Sequence, residues 1–193
     1  MIQIFGQDEL VEHILNGGNH YDYLISIGNP KKVFGRKNPG QTMPGIFRQA
    51  FRYILRLEFF DVEKGDHLGP MRPKRIPNRM DVQRAIRFYR RTHKLTSGYI
   101  FHCWRGISRS PAFALGFLYM MTGSESIAKD ALQHLRPDAL PLQLVIKYFD
   151  LELGSNLTAM NDAIRRERIE KWKKELDLAA DQLLEELPVA EDE

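Results

Sequence analysis

Apolar residues recur at two spacings along this chain. In Ile2 to Phe5 and in Tyr53 to Asp61 they alternate, Ile2 with Ile4, then Leu55 with Leu57 and Phe59, the period that places every second side chain on one face of a strand. "YDYLISIGN" (Tyr21 to Asn29) and "GYIFHC" (Gly98 to Cys103) are compact apolar runs that also predict strands, the first ending at Gly28-Asn29. Helical spacing takes over in "RMDVQRAIRFYRRTHKL", where Val82, Ile86 and Tyr89 fall at i, i+4 and i+7 behind an Asn78 cap. "DELVEHIL" predicts a short helix capped by Asp8. Pro111 suits a first helical turn, and "AFALGFLYMMTG" runs from there to a stop at Gly123. That helix is apolar on nearly every side and belongs in the middle of the fold. "SESIAKDALQHLRP" and "LPLQLVIKYFDLELG" predict two more helices, and the Pro/Gly-rich stretches Pro30 to Gly45 and "GDHLGPMRPKRIP" predict surface loops.

Strands interleaved with helices, followed by a helical C-terminal half, predict an α/β fold: a central, mainly parallel sheet flanked by helices. At 193 residues, 43% hydrophobic and 27% charged, the chain suits one domain with a substantial core. We place that domain at residues 1–157 and a charged helical tail at 158–193, its helix running from Asn161 to Leu187. Ile169, Leu176 and Leu183 recur every seven residues in the tail, with Trp172 and Ala179 between, a stripe able to pack on the body or pair with a second copy as a homodimer.

Charge divides the chain at the same place. Residues 161–193 hold 6 Lys+Arg against 11 Asp+Glu, or −5, and the whole chain is +3, so residues 1–160 carry +8. A basic body favours anionic partners without choosing among phosphoprotein, phospholipid and nucleic acid. The single cysteine excludes an internal disulfide and a multi-thiolate metal site. His13, His20, His67, His93 and His134 lack ligand spacing, so no metal is expected. No stretch reaches the roughly 18 apolar residues of a membrane span, and the N-terminus lacks a leader pattern. A cytoplasmic protein is expected.

The lone thiol stands in "HCWRGISRS" (His102 to Ser110), between a predicted strand and the apolar helix. The amides of Trp104, Arg105, Gly106, Ile107, Ser108 and Arg109 can curl inward as an anion-binding nest at a helix start. The same field favours thiolate over thiol at Cys103 and makes it a competent nucleophile. Gly106 supplies backbone freedom, and Arg109 can grip two phosphate oxygens with its planar fork. Ser110 is placed to donate a hydrogen bond to the thiolate, and His102 to orient the loop. Trp104 and Arg105 are candidates for the pocket wall and for steering an anionic substrate.

This segment matches the His-Cys-x5-Arg-Ser signature and so resembles the cysteine-based protein tyrosine phosphatases, "GISRSP" resembling the compact dual-specificity branch. The resemblance is strongest over residues 99–123, extends in layout from about 20 to 153, and leaves the tail outside. It implies a phosphomonoester hydrolase working through a cysteinyl-phosphate, without a cofactor. Cys103 would be the nucleophile, Arg109 the phosphate clamp and Ser110 the helper of phosphoenzyme breakdown. The family takes its general acid from an aspartate after an upstream strand; Asp61 has that position, and Asp66 is its rival. Asp81, in a helix first turn, is explained by the helix dipole.

The substrate implied is a phosphorylated protein. The same mechanism also serves phosphatases of phosphoinositides, inositol phosphates or RNA 5′ ends, although "WRGIS" has no lysine. Nucleic acid as a partner is not favoured. A non-catalytic phosphoprotein-binding module and a rhodanese-like sulfur carrier are the other classes compatible with a cysteine loop. "RPKR" (Arg72 to Arg75) reads as a solvated loop, and the sequence Gly-x-x-x-x-Gly-Lys of a nucleotide-binding loop is absent.

Overall fold

The computed structural model describes residues 1–17, 22–30, 32–33, 36–37, 43–61, 75–93 and 98–185. Its elements begin with β1 (Ile2–Phe5), α1 (Gln7–Leu15), β2 (Tyr23–Gly28), β3 (Lys32–Val33), β4 (Arg36–Lys37), α2 (Gly45–Ala50) and β5 (Tyr53–Glu58). They continue with α3 (Arg79–Thr92), β6 (Tyr99–His102), α4 (Arg109–Thr122), α5 (Glu125–Leu135), α6 (Gln143–Leu153) and α7 (Leu157–Glu185). The central sheet has the order β1-β6-β2-β5, every neighbouring pair parallel. β3 and β4 form a separate antiparallel pair.

Alternation along the strands sorts side chains between two helical layers. Ile4, Ile25, Leu55 and Phe101 face the larger core, which α3, α4, α5, α6 and the start of α7 complete. Leu24 and Ile100 face the other way, against Leu10 of α1 and Phe47 of α2. β2 is buried along its whole length because strands flank it and helices cover both faces. α4 has the central place its composition predicts, buried from Arg109 to Leu118. Its Gly116 permits a close crossing: a Cβ there would stand 2.5 Å from the ring of Phe149 on α6.

Asn78 caps α3, and α4 stops at Gly123 in the left-handed region (φ 67°), as the sequence predicts. Three local expectations are corrected. The cap of α1 is Gly6, not Asp8: the chain leaves β1 directly into the helix, and the Gly6 amide donates to Glu9 Oε2 at 2.7 Å. The loop expected from Pro30 to Gly45 contains β3 and β4, and Gly45 itself opens α2. With six residues and one buried anchor, Phe47, α2 is too short to display a helical period. The tail helix starts at Leu157, four residues before Asn161. Asp150 at the end of α6 is the reason: its carboxylate accepts the amides of Leu157 and Thr158 at 2.7 and 2.9 Å, capping the new helix across the bend.

The first three turns of α7 are part of the body. Leu157, Asn161 and Ile164 are buried. Asn161 Nδ2 and Arg165 Nη1 donate to the Pro141 carbonyl at 3.2 and 3.0 Å. Glu167 accepts from Lys129 and Gln133 of α5. Further along, Ile169 and Leu176 of the heptad stripe are 47% and 70% exposed. No helix among the described residues is long and apolar enough to cross a membrane.

Burial of Ile164 makes α7 contribute to global stability. Ile164→Ala is expected to lower the unfolding free energy by about 2–4 kcal/mol, read from the midpoint of a urea titration. A loss below about 0.5 kcal/mol, the size expected at an exposed position, would show that the helix end is not packed on the body.

Candidate active site

β6 ends at His102, and the next six residues turn back to start α4. Donors outside this turn hold its carbonyls: Gln7 N to Trp104 O at 3.1 Å, Arg136 Nη2 to Arg105 O at 3.3 Å and Leu140 N to Ile107 O at 2.8 Å. Ser108 O accepts from Leu142 N at 3.3 Å and from Ala112 N at 3.2 Å. No peptide bond among the described residues is cis, and a trans unit aims its N–H opposite to its C=O. The amides of Arg105, Gly106, Ser108 and Arg109 therefore point away from those partners, into the turn, where the positive end of α4 adds to their field. Gly106 has φ +75°, and a Cβ there would lie 2.7 Å from the backbone of Phe5 and Gly6. Two independent constraints thus require glycine.

Cys103 is 2% exposed and accepts a hydrogen bond from Ser110 Oγ at 3.1 Å. Arg109, 4% exposed, has its guanidinium fixed by the ends of two strands. Its Nη1 donates to Asn29 Oδ1 at 2.6 Å, just after β2, and to Phe59 O at 3.2 Å, just after β5. Asp61 comes from the same end of β5. Its Oδ1 accepts from Ser108 Oγ at 2.8 Å, and its Oδ2 stands 3.7 Å from Arg109 Nε. The parallel sheet delivers all three groups to its C-terminal edge, where ligands of α/β sheets collect.

These groups border an open cavity of about 620 Å³. Trp104, Arg105, Ile107 and Ser108 of the turn line it with Cys103, Arg109 and Asp61. Gly106 is buried in the turn, Ser110 lies behind the thiol, and His102 lies beneath, outside the cavity lining. Asp66 is outside the described residues. Arg75, the last residue of "RPKR", pairs with the buried Asp81 at 2.6 Å, which makes Asp81 a structural carboxylate. Sequence reasoning missed Asn29, which it treats only as a strand end, and a wall from the tail: Arg165, Arg168 and Trp172 of α7. Their i, i+3, i+7 spacing was the available signal, since it puts all three on one helix face.

No family model matches the sequence, and no curated protein matches it. Among solved structures, the chain is similar to DUSP15 at 14% identity, covering 86% of this chain and 90% of that one, with a TM-score of 0.52. Human DUSP28 has 13% identity over 80% of this chain and 90% of its own, with a TM-score of 0.53. PTPMT1 has 14% identity over 88% and 95%, with a TM-score of 0.50. The chain has the α/β fold of the compact dual-specificity phosphatases.

Under the cavity a polar row crosses three strands in register. Arg56 Nη1 donates to Ser26 Oγ at 2.6 Å, and Ser26 Oγ meets His102 Nε2 at 2.7 Å. The ring of His102 also packs edge-on against Phe47 at 4.9 Å. Burial, reinforced by the Arg56 charge, pushes the His102 pKa down to about 3. Between that value and the ordinary 6.5 the unfolded chain binds a proton that the folded one refuses. The stability this residue provides is complete above 6.5 and declines as pH falls toward 3. We expect His102 to make the protein about 2 kcal/mol less stable at pH 5 than at pH 7.5, by urea unfolding. His102→Gln removes that difference; a variant with the wild-type slope would show that another group titrates.

Proposed function

We propose that the protein hydrolyses phosphomonoesters as a protein tyrosine or dual-specificity phosphatase, through a cysteinyl-phosphate. One juxtaposition carries this: a thiol hydrogen-bonded to Ser110, at the base of an amide-lined turn, with Arg109 and Asp61 on the same rim. The phosphatase-like fold supports it. Among the classes compatible with a cysteine loop, neither binding alone nor sulfur transfer accounts for a carboxylate held over the turn.

The substrate's phosphate lies in the turn, its oxygens on the inward amides and the Arg109 fork. The Cys103 thiolate attacks phosphorus opposite the ester oxygen. An S–P bond forms, the P–O bond to the substrate breaks, and Asp61 in its acid form gives that oxygen its proton. Asp61, now a carboxylate, takes a proton from water as the water oxygen attacks phosphorus. The S–P bond then breaks, releasing inorganic phosphate and the thiolate, whose charge the Ser110 hydrogen bond stabilises. Arg109 must keep its aim throughout, and Asn29 and Phe59 O hold it.

Leaving-group dependence tests the assignment. Wild type is expected to turn over p-nitrophenyl phosphate and Cys103→Ser to be inert. Asp61→Ala should lose about 10²–10⁴-fold in kcat on a phosphoserine or phosphothreonine peptide, whose alkoxide needs the proton, and less on the nitrophenolate. Activity surviving in Cys103→Ser, or equal losses in Asp61→Ala on both esters, would overturn the roles of these two residues.

A further inference from the structure

The proposed chemistry uses the turn and the ends of β2 and β5, and leaves the α7 wall of the cavity without a task. Arg165 and Arg168 project from one helix face toward the same space as Arg109. Like charges at this spacing repel one another, a cost that an anion between them removes. Two acids of this helix are turned elsewhere: Glu167 bonds Lys129 and Gln133 of α5, and Asp162 bonds Gln143 of α6. Neither of them lines the cavity.

Each group in the wall is held for contact. Arg165 is fixed by its bond to the Pro141 carbonyl. The Arg168 guanidinium stacks over the Trp172 ring at 5.0 Å, and its Nε has no hydrogen-bond partner among the described residues. Among the described residues two carboxylates line the cavity: Asp138 is paired with Arg136 at 2.8 Å and Asp61 is engaged by Ser108. Trp104 and Trp172, 49% and 40% exposed, present flat apolar surfaces beside the charges, suited to the side chains next to a phosphorylated residue.

We propose that Arg165, Arg168 and Trp172 form a second subsite that binds an acidic group, a carboxylate or a second phosphate, flanking the phosphorylated residue of a peptide substrate. This rests on the phosphatase assignment and names its substrate class: phosphopeptides with acidic flanks. The subsite acts in binding, so it governs KM rather than kcat, and its attraction weakens with ionic strength.

Two phosphotyrosine peptides decide it, one with Asp on both sides of the phosphoresidue, the other with Asn in the same places. For wild type the Asp peptide is expected to have a kcat/KM about tenfold higher, through KM, the ratio shrinking in salt. Arg168→Ala brings the ratio to about twofold or below, and Arg168→Glu inverts it. The ratio within one variant is independent of how much of it is folded. Equal kcat/KM values for wild type, or a ratio unchanged in Arg168→Ala, overturn the subsite. Should wild type hydrolyse neither peptide nor p-nitrophenyl phosphate, the phosphatase assignment fails instead. The same ratio, taken from dissociation constants of the fluorescently labelled peptides, then decides the subsite.

Discussion

The candidate site depends on which way four peptide units face. Had the carbonyls of Trp104, Arg105, Ile107 and Ser108 turned inward, the turn would repel an anion rather than attract one. The donors that hold them outward come from distant parts of the chain: Gln7 at the start of α1, Arg136 at the end of α5, and Leu140 and Leu142 before α6. Gly106 makes the turn possible by standing against Phe5 and Gly6 where no side chain fits. The fold thus builds a turn of inward amides from backbone, and the packing of α1, α5 and the segment before α6 keeps it in shape.

Parallel pairing does the second part of the work. Because β2, β5 and β6 end together, Asn29, Phe59, Asp61 and Cys103 arrive at one edge although the sequence separates them widely. Below that edge, Arg56, Ser26 and His102 lie side by side in register. The arrangement is polar yet carries one formal charge, since burial keeps the imidazole neutral beside Arg56. A second cation there would be repelled by Arg56 and by Arg109. A neutral imidazole in hydrogen-bond contact with Ser26 fixes the strand end without that repulsion.

The division of the chain into body and tail has a physical boundary inside α7. Through about Glu167 the helix is packed, capped by Asp150 and bonded to α5 and to Pro141; further along, Ile169, Leu176 and Leu178 are exposed. The acidic charge of the last 33 residues hides this internal order. Three basic residues in the packed half, Arg165, Arg166 and Arg168, stand among acids that bond the body, and the cavity receives two of the three. Net charge over a segment says little about which face a ligand meets.

The strand runs, the central position of α4, the Asn78 cap and the cysteine turn were legible in the sequence, because period, capping chemistry and loop composition are local properties. Helix α2 was not, since six residues with one buried anchor show no period. The Gly6 cap and the early start of α7 were not, since the groups that set them lie across a strand end or on the preceding helix. For the site, the sequence by itself determined which residues the turn between β6 and α4 contains, because they are contiguous. Only the tertiary structure decided that Asn29 and Phe59 O aim Arg109, that His102 is held neutral, and that Arg165, Arg168 and Trp172 wall the cavity. Those depend on sheet register and on where α7 packs, and both are fixed by long-range burial rather than by any short stretch of chain.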